Sequence, residues 1–385
     1  MTVITVPVTN KKQFNDFINL PWDLHKNNPN WVPPLKLMVK QNLDVKNNPF
    51  YKHADLQCWI AYRDKKPVGR IAGILNKMHN QFHHEKLAFW GFFEVENNLA
   101  TAKHLFHAVE EWANAKGMTI LRGPANPSFN HECGLQISNF DSKPYFMMTQ
   151  NPKYYQEIVE QLGHHKAKDM QAWLLDTQAL TFHSRLKKKG DALRDAEGIV
   201  IRPINRRQYS KEVETLYEIY TEAWEKNWGF VPSSREEFFH LAKEMKSLLI
   251  PQSIWIVEVK GEPAAFGVFI PDLNQVLVKN RSGRLFPTGL LRLLWDTTIN
   301  KKSINQGRIP LLGVKSKFRH LQLGALLYNN FAEKIPPLGY RFHECSWILE
   351  DNKPMQTGLH LMNAKHYKSY RVYDKPLGQN RHDHT

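Results

Sequence analysis

The chain has 385 residues, of which 42% are hydrophobic, 12% aromatic and 23% charged. This composition excludes a disordered chain, and the length suits two compact domains. Three widely spaced cysteines exclude a disulfide framework. The N-terminus carries no export signal and no stretch of about 18 apolar residues occurs, so we expect a cytoplasmic protein without a membrane span. The net charge of +15 favours anionic partners.

Strand and helix patterns alternate along the first half of the chain. An alternating apolar run, a charged turn and a second apolar run predict a β-hairpin over residues 58–75. A strand at 88–94, an amphipathic helix at 99–116 and a strand at 119–122 follow. This order predicts mixed α/β layers.

The second half repeats this pattern. The segment Asn30-Trp31-Val32-Pro33 is echoed by Asn-Trp-Gly-Phe-Val-Pro at 227–232, and the hairpin at 58–75 is echoed at 254–270. Two echoes in the same order and at nearly the same offset favour an internal duplication. The later predicted elements are a strand at 310–314, a helix at 323–335, a strand at 341–348, a helix at 354–362 and a strand at 370–373.

The duplication and the breaks between elements predict the domain organisation. We expect one domain at 1–178, a polar linker helix at 179–198 that ends at a glycine, and a second domain at 199–376. The last residues, 377–385, are rich in Asn, Asp and His and are expected to form a flexible tail.

One window in the second half carries the clearest chemical signal. Val314 ends a predicted strand, a basic turn with Lys317 and Arg319 follows, and Gly324 and Ala325 open a helix. A helix N-terminus presents unpaired N–H groups to an anion, and small residues let a pyrophosphate approach the backbone. The two basic side chains can add charge-assisted hydrogen bonds. A strand, turn and helix that pack for stability alone fit the window equally well.

This window resembles the acyl-CoA motif of the GNAT (N-acetyltransferase) superfamily, in which Arg or Gln precedes two residues, a Gly, one residue, and Gly or Ala. Arg319 and Gly324 match in register, whereas Gln322 stands where the first Gly is usual, so its side chain can crowd the pyrophosphate. The resemblance implies an acyl-CoA donor held by Val314, Lys317, Arg319, Gln322, Leu323, Gly324 and Ala325.

The segments that follow strengthen the resemblance. A strand around 344–348 leads into a helix that begins at Asn352, and a strand at 367–373 ends the domain. In GNAT enzymes the corresponding strand separates from its neighbour, the acyl thioester lies in the gap, and an Asn at this turn binds near the pantetheine. The resemblance therefore implies two tandem GNAT-like domains of mixed α/β fold, with Asn352 added to the donor site.

The first half resembles the N-terminal half of a family of bacterial tandem GNAT-like proteins. The segments that carry this resemblance include 28–35, 48–51, 68–71, 91–94 and 122–124. No Arg-x-x-Gly-x-Gly pattern precedes the predicted helix of this half, so we expect a degenerate copy that shapes the acceptor cleft.

Acyl transfer to an amine needs a base for the amine, donors for the oxyanion and an acid for the departing thiolate. In the superfamily the acid is often a Tyr on the helix after the Asn, and counting from Asn352 places Leu359 there. His360 is adjacent and Tyr367 lies further on. Glu344 is the candidate general base, directly or through water; a surface ion pair is the alternative interpretation of this carboxylate.

The sequence thus predicts an N-acyltransferase that uses acyl-CoA, or an acyl carrier protein, and a small-molecule or peptide amine. A Fem-like transferase with an aminoacyl-tRNA donor is the second hypothesis, since the basic charge suits RNA. A non-catalytic ligand-binding scaffold is the third. Among His79, His83, His84 and Glu85, two imidazoles are four residues apart, but no third ligand follows at a convincing spacing, so no metal is expected.

Overall fold

The computed structural model describes residues 2–179, 184–250, 252–285, 289–296 and 303–378. In the first half of the chain the strands are β1 (Val3–Pro7), β2 (Ala54–Arg63), β3 (Lys66–Asn76), β4 (Leu87–Val95), β5 (Ile120–Gly123), β6 (Ala125–Asn126), β7 (Glu132–Cys133), β8 (Leu135–Gln136) and β9 (His165–Asp176). The helices are α1 (Lys11–Leu24), α2 (Lys36–Asn42), α3 (Lys77–His83), α4 (Leu99–Ala115) and α5 (Tyr154–Gln161).

The second half repeats the alternation of strands and helices. Its strands are β10 (Ile199–Pro203), β11 (Ile254–Val259), β12 (Glu262–Pro271), β13 (Gln306–Val314), β14 (Phe342–Leu349) and β15 (Lys365–Pro376). Its helices are α6 (Ser184–Arg194), α7 (Tyr209–Trp224), α8 (Arg235–Met245), α9 (Asn274–Leu277), α10 (Gly289–Leu294), α11 (Gly324–Lys334) and α12 (Lys353–Leu361). The predicted mixed α/β fold and both predicted hairpins, β2–β3 and β11–β12, are confirmed.

The chain forms two compact units that differ from its two sequential halves. Unit 1 comprises residues up to 169 together with 277–290 and the chain from 369 onward, and unit 2 comprises 170–276 and 291–368. Each unit therefore includes a strand from the other half. In unit 1 the later part of β15 pairs with β5, and in unit 2 the later part of β9 pairs with β14.

Unit 1 is built on a sheet in which β1 to β5 are neighbours in sequence order and β15 follows β5. All neighbours are antiparallel except β4 and β5, which run parallel and pair only from Leu87 to Phe89 of β4. Helix α4 covers one face, where Leu105 and Phe106 pack on Trp90. Helix α1 covers the other face through Phe17.

Beyond Phe89, where β4 no longer pairs with β5, the short strand β6 lies against β4. The amide of Phe92 donates to Asn126 Oδ1 over 2.6 Å, and a Cβ on Gly91 would lie 1.8 Å from the carbonyl oxygen of Ala125. A glycine is therefore required at position 91, because any side chain there would collide with the backbone of β6. The backbone that the separation would expose is thus paired inside the chain.

Unit 2 has the strand order β10-β11-β12-β13-β14-β9. Among the strands described in this unit, β13 and β14 are the parallel pair, and they pair from Gln306 to Ile309 of β13 before they separate. Helix α11 packs on one face of this sheet through an apolar stripe that includes Leu326, Leu327 and Phe331. Helix α7 covers the other face, where Trp224 contacts Phe266.

The described part of the predicted linker segment contains α6, which belongs to unit 2. It packs closely on α11: Asn329 donates to the carbonyl of Lys187 over 2.9 Å, and a Cβ on Gly190 would lie 2.1 Å from the Asn329 amide. Helix α6 therefore packs against α11 within unit 2, where Leu186 and Leu193 join its apolar clusters. Of the predicted tail at 377–385, residues 379–385 lie outside the described part of the chain.

Candidate functional site

A cavity of about 1440 Å³ opens in unit 2 where β13 and β14 separate. The two strands stay paired as far as Ile309 and Cys345, and β13 continues to Val314 without pairing to β14. We call the space between these free strand ends the strand gap. It is lined by Pro310, Leu312, Gly313 and Val314 of β13 and by Ser346, Trp347, Ile348 and Leu349 of β14.

The cavity is lined from both faces of the sheet, so it passes through the strand gap. One side comes mainly from α6, α11 and α12, with Arg185 and Lys189 of α6 among its lining residues. Its less polar residues are Leu186, Leu323, Ala325, Tyr328, Met355, Leu359, Leu361 and Met362. The other side comes from α7 and the turn after it, with Ala223, Trp224, Asn227 and Trp228. A Cβ on Gly313 would lie 2.2 Å from the Trp224 ring, so this glycine allows α7 to approach the gap.

A basic loop connects β13 to α11 at one end of the cavity. It contains a short 3₁₀ helix, Ser316–Leu321, and then Gln322 in the left-handed region with φ of 60°. Because a left-handed backbone costs a side-chain-bearing residue about 1–2 kcal/mol, this geometry explains why glycine is usual here in the GNAT motif. Helix α11 begins at Gly324, as predicted, and a Cβ on Gly324 would lie 3.9 Å from the nearest side-chain atom of the described residues.

The structure brings together most of the residues expected to hold a donor. The cavity is lined by Val314, Arg319, Gln322, Leu323, Gly324, Ala325 and Asn352. Lys317 lies apart, where its ammonium pairs with Glu262 over 2.5 Å. Asn352 caps α12, since its Oδ1 accepts a hydrogen bond from the amide of Met355. The open helix terminus at Gly324 fits a phosphate group that approaches the backbone.

Two contacts join this loop to the C-terminal end of α7. Arg319 donates to the carbonyl oxygen of Ala223 over 2.9 Å, where a cation complements the helix dipole. The amide of Ser316 donates to Glu222 Oε1 over 2.8 Å. The loop therefore already binds one carboxylate of the chain itself through a backbone N–H group.

A buried polar network lies at the closed end of the strand gap. Ser346 Oγ donates to Glu344 Oε1 over 2.6 Å, and the Tyr367 hydroxyl donates to Glu344 Oε2. Arg308 Nε donates to Ser346 Oγ over 2.8 Å and lies 3.7 Å from Glu344 Oε1. The side chain of Glu344 is fully buried, so the surface ion pair considered from the sequence is excluded.

The predicted catalytic residues differ in their relation to the cavity. Glu344 and Tyr367 are in contact with each other but do not line the cavity; Ser346, which does, donates a hydrogen bond to Glu344. His360 lies elsewhere, exposed on α12 with its ring edge-on to Trp173 at 4.6 Å. Leu359 lines the cavity, fully buried, so the position expected for an acidic tyrosine carries an apolar side chain.

Two titratable residues near this network were not identified as candidates from the sequence. His343 lines the cavity, and burial lowers its pKa to about 4; its Nδ1 has no hydrogen-bond partner among the described residues. Lys368 is also buried, and burial lowers its pKa to about 8, although Glu344 and Asp272 oppose this shift. The alternation of β14 could have shown that His343 and Glu344 face opposite sides of the sheet.

Among the residues that the structure describes, no group of three or more His, Cys, Asp and Glu is arranged to hold a metal ion. His79 instead contacts Glu85 over 2.9 Å. Within the same ranges, every helix is too short or too polar to cross a membrane.

Comparison with known proteins identifies close relatives. No protein-family model matches the chain. The chain is 36% identical over 379 residues to the bacterial ceramide synthase of Caulobacter vibrioides, covering 97% of either chain. It is 33% identical over 372 residues to protein YghO of Escherichia coli, covering 96% of this chain and 94% of the relative.

Solved structures show the same fold over the whole chain. A tandem GNAT protein from the clavulanic acid biosynthesis pathway superposes with a TM-score of 0.58 at 13% identity, covering 98% of this chain and 99% of that one. A GCN5-related N-acetyltransferase from Sphaerobacter thermophilus gives 0.53 at 12% identity, covering 97% and 96%. With its tandem GNAT fold, the chain belongs to the family that contains the bacterial ceramide synthase and protein YghO.

Proposed function

We propose that this protein is an N-acyltransferase that moves a long acyl group from a thioester to an amine. The donor is acyl-CoA or an acyl carrier protein, and the product is an amide. The observation that carries the proposal is the cavity that passes through the strand gap of unit 2, with an open helix terminus at one end and a buried carboxylate network at the other.

The helix terminus suits the phosphates of the donor. Gly324 leaves space in front of α11, and Arg319 borders it, so phosphate oxygens can accept hydrogen bonds from the backbone and from the guanidinium. In the described part of unit 1, β6 occupies the corresponding space beside β4, where it accepts a hydrogen bond from the amide of Phe92. The donor site of the proposal is therefore in unit 2.

The size and lining of the cavity suit a long acyl chain. Its volume of about 1440 Å³ exceeds the roughly 300–1000 Å³ of pockets for drug-sized ligands. A pantetheine arm together with an acyl chain needs such a space, and the apolar side chains of α6, α11 and α12 can bury the methylene groups. The volume is larger than an acetyl group requires.

The relative supplies the class of acceptor for the proposal. That protein is named a bacterial ceramide synthase, and a ceramide is an amide of a long-chain amino alcohol with a fatty acid. At 36% identity over nearly the whole chain, we infer the same reaction type here, with a long-chain amine as acceptor.

The buried network provides the base. The amine nitrogen attacks the thioester carbonyl carbon, the C–N bond forms and the C–S bond breaks. The proton lost by the nitrogen passes to Ser346 Oγ as this hydroxyl gives its own proton to Glu344. Arg308 and Tyr367 hold the serine and the carboxylate in place. We assign His360 no role, because it is exposed and outside the cavity lining.

A transfer assay with matched donors tests the proposal. The purified protein is incubated with acetyl-CoA or a long-chain acyl-CoA, and with a long-chain amino alcohol. Amide is measured by mass spectrometry and free thiol by a colour reaction. We expect equal amounts of amide and thiol with the long-chain donor and little with acetyl-CoA. The Glu344→Gln variant should bind the donor but form little amide.

Other donors are included as separate arms. Activity only with an acylated carrier protein would keep the reaction and change the donor. Activity only with aminoacyl-tRNA would replace the proposal by the Fem-like reaction. Binding of acyl-CoA without product from any acceptor would favour a non-catalytic scaffold.

A further inference from the structure

Tyr328 of α11 reaches across the cavity wall to α12. It lies one helical turn after Gly324 and lines the cavity. Its hydroxyl donates a hydrogen bond to the sulfur of Met355 over 2.8 Å. The hydrogen-bond acceptor of this hydroxyl is therefore a sulfur atom. A thioether is a weak acceptor on a flexible side chain, so a stronger sulfur acceptor can take its place.

The sequence of α12 makes room for this tyrosine. Gly358 lies inside α12, where glycine costs about 1 kcal/mol relative to alanine. A Cβ on Gly358 would lie 2.8 Å from Cε2 and 3.1 Å from the hydroxyl oxygen of Tyr328. The glycine therefore accommodates the ring and its hydroxyl, and the two positions depend on each other.

The hydroxyl of Tyr328 also lies beside the position where an acid is missing. Gly358 immediately precedes Leu359, which lines the cavity with an apolar side chain. We propose that Tyr328 donates the proton to the departing thiolate, from α11 instead of α12. This inference rests on the proposed acyl transfer and names a further catalytic residue for it.

The chemistry of the step is balanced. As the C–S bond breaks, its electron pair goes to sulfur, and the sulfur takes the proton of the Tyr328 hydroxyl. The tyrosinate then regains a proton from solvent, and Glu344 releases to solvent the proton that it received from the amine, so both residues return to their starting states. The sum of the steps is thioester plus amine to amide plus thiol.

The surroundings favour this donation. Burial raises the pKa of Tyr328, so the hydroxyl stays protonated and acts as a donor throughout the neutral range. The same cavity wall includes Cys345, whose pKa burial raises to about 12, above its ordinary value. A thiolate formed in this low-dielectric space is likewise a stronger base than in water, so it takes up a proton readily.

Leaving-group dependence separates an acid from a packing residue. The test compares wild type and Tyr328→Phe with two donors that carry the same acyl group, the CoA thioester and an aryl thioester whose thiol is much more acidic. Phenylalanine keeps the ring beside Gly358 and removes only the hydroxyl. General acids contribute about 10²–10⁴-fold. We expect a loss of about 100-fold or more with the CoA thioester and less than about 3-fold with the aryl thioester.

Other results overturn the inference. Equal losses with both donors would make Tyr328 a structural residue, and unchanged rates with both would make its hydroxyl irrelevant. Melting temperature and acyl-CoA affinity of the variant are measured in parallel and should match the wild type. If wild type forms no amide from either donor, the proposed function itself fails, and the inference fails with it.

Discussion

The hydroxyl of Ser346 donates to Oε1 of Glu344 over 2.6 Å and thereby connects a residue of the cavity wall to a fully buried carboxylate. Because the proposed base does not line the cavity, we expect it to act on an amine through the serine. The carboxylate is also kept in place by Tyr367 and lies near Arg308. The consequences of this arrangement can be measured.

The first prediction concerns the proton relay. Ser346→Ala removes the link to Glu344, and we expect kcat for amide formation to fall by about 10²-fold or more, as for loss of a general base. The affinity for acyl-CoA should be unchanged, because the proposed phosphate site is at the other end of the cavity. His343→Asn is the control, since His343 also lines the cavity. A large loss in the control with full activity in Ser346→Ala would make His343 the base.

The second prediction concerns Glu222, which accepts a hydrogen bond from the amide of Ser316 in the loop before α11. Glu222→Gln removes a negative charge that competes with the donor phosphates. We expect acyl-CoA to bind roughly fivefold tighter, equivalent to about 1 kcal/mol, with a smaller gain at high salt. Calorimetric titration measures this. Glu218→Gln, exposed one turn earlier on α7, should leave the affinity unchanged.

The third prediction concerns Gly324. Glutamate at this position places a carboxylate at the N-terminus of α11, where we expect the donor phosphates. Long-chain acyl-CoA should raise the melting temperature of the wild type, and Gly324→Glu should abolish that increase. Alanine is the matched control, because the nearest atom that its Cβ would meet among the described residues is Cε2 of Tyr328, 3.9 Å away. If the glutamate variant keeps the full increase, the phosphates bind elsewhere.

The fourth prediction concerns the stability of unit 1. A Cβ on Gly91 would lie 1.8 Å from a backbone carbonyl oxygen, which cannot move without disrupting β6. We expect Gly91→Ala to reduce the free energy of unfolding by about 3 kcal/mol. Gly324→Ala should change it by less than about 1 kcal/mol. Urea denaturation measures both; equal values for the two variants would show that β6 does not close the gap in unit 1.

The fifth prediction concerns pH and His343. Burial lowers its folded pKa to about 4, whereas the unfolded imidazole titrates near 6.5. Between these pH values the unfolded chain binds more protons, so stability is complete above 6.5 and is lost as pH falls towards 4. The loss from this residue is about 3 kcal/mol.

Urea denaturation at about pH 7 and about pH 4.5 measures this loss. Between these two pH values, the free energy of unfolding of His343→Asn should fall by about 3 kcal/mol less than that of the wild type. His79 and His164, whose pKa values burial also lowers, contribute equally in both proteins. An identical pH dependence of the two proteins would contradict the prediction.

Local features of the fold could be predicted from the sequence. The two hairpins follow from period-two apolar runs around charged turns, and Asn352 caps α12 because an Asn followed by Lys353-Pro354 is a strong helix start. The start of α11 at Gly324 follows from the motif. These features depend on residues close together in the chain.

The missed features depend on contacts between distant segments. The exchange of β9 and β15 depends on which sheet edge each strand meets, and apolar periodicity does not encode that choice. The burial of Glu344 depends on Tyr367 and Arg308, which lie 23 and 36 positions away in the sequence. Tyr328 could have been suspected only from the unexplained glycine inside α12, since the two residues are 30 positions apart.

A structure of the protein with a non-hydrolysable long-chain acyl-CoA thioether tests the central claim most directly. The account predicts phosphates at the N-terminus of α11 near Gly324, the pantetheine arm between β13 and β14, and the sulfur within hydrogen-bond reach of Tyr328. The thioether sulfur should replace that of Met355 as the partner of the hydroxyl. An analogue bound outside the strand gap of unit 2, with the gap unchanged, would contradict the account.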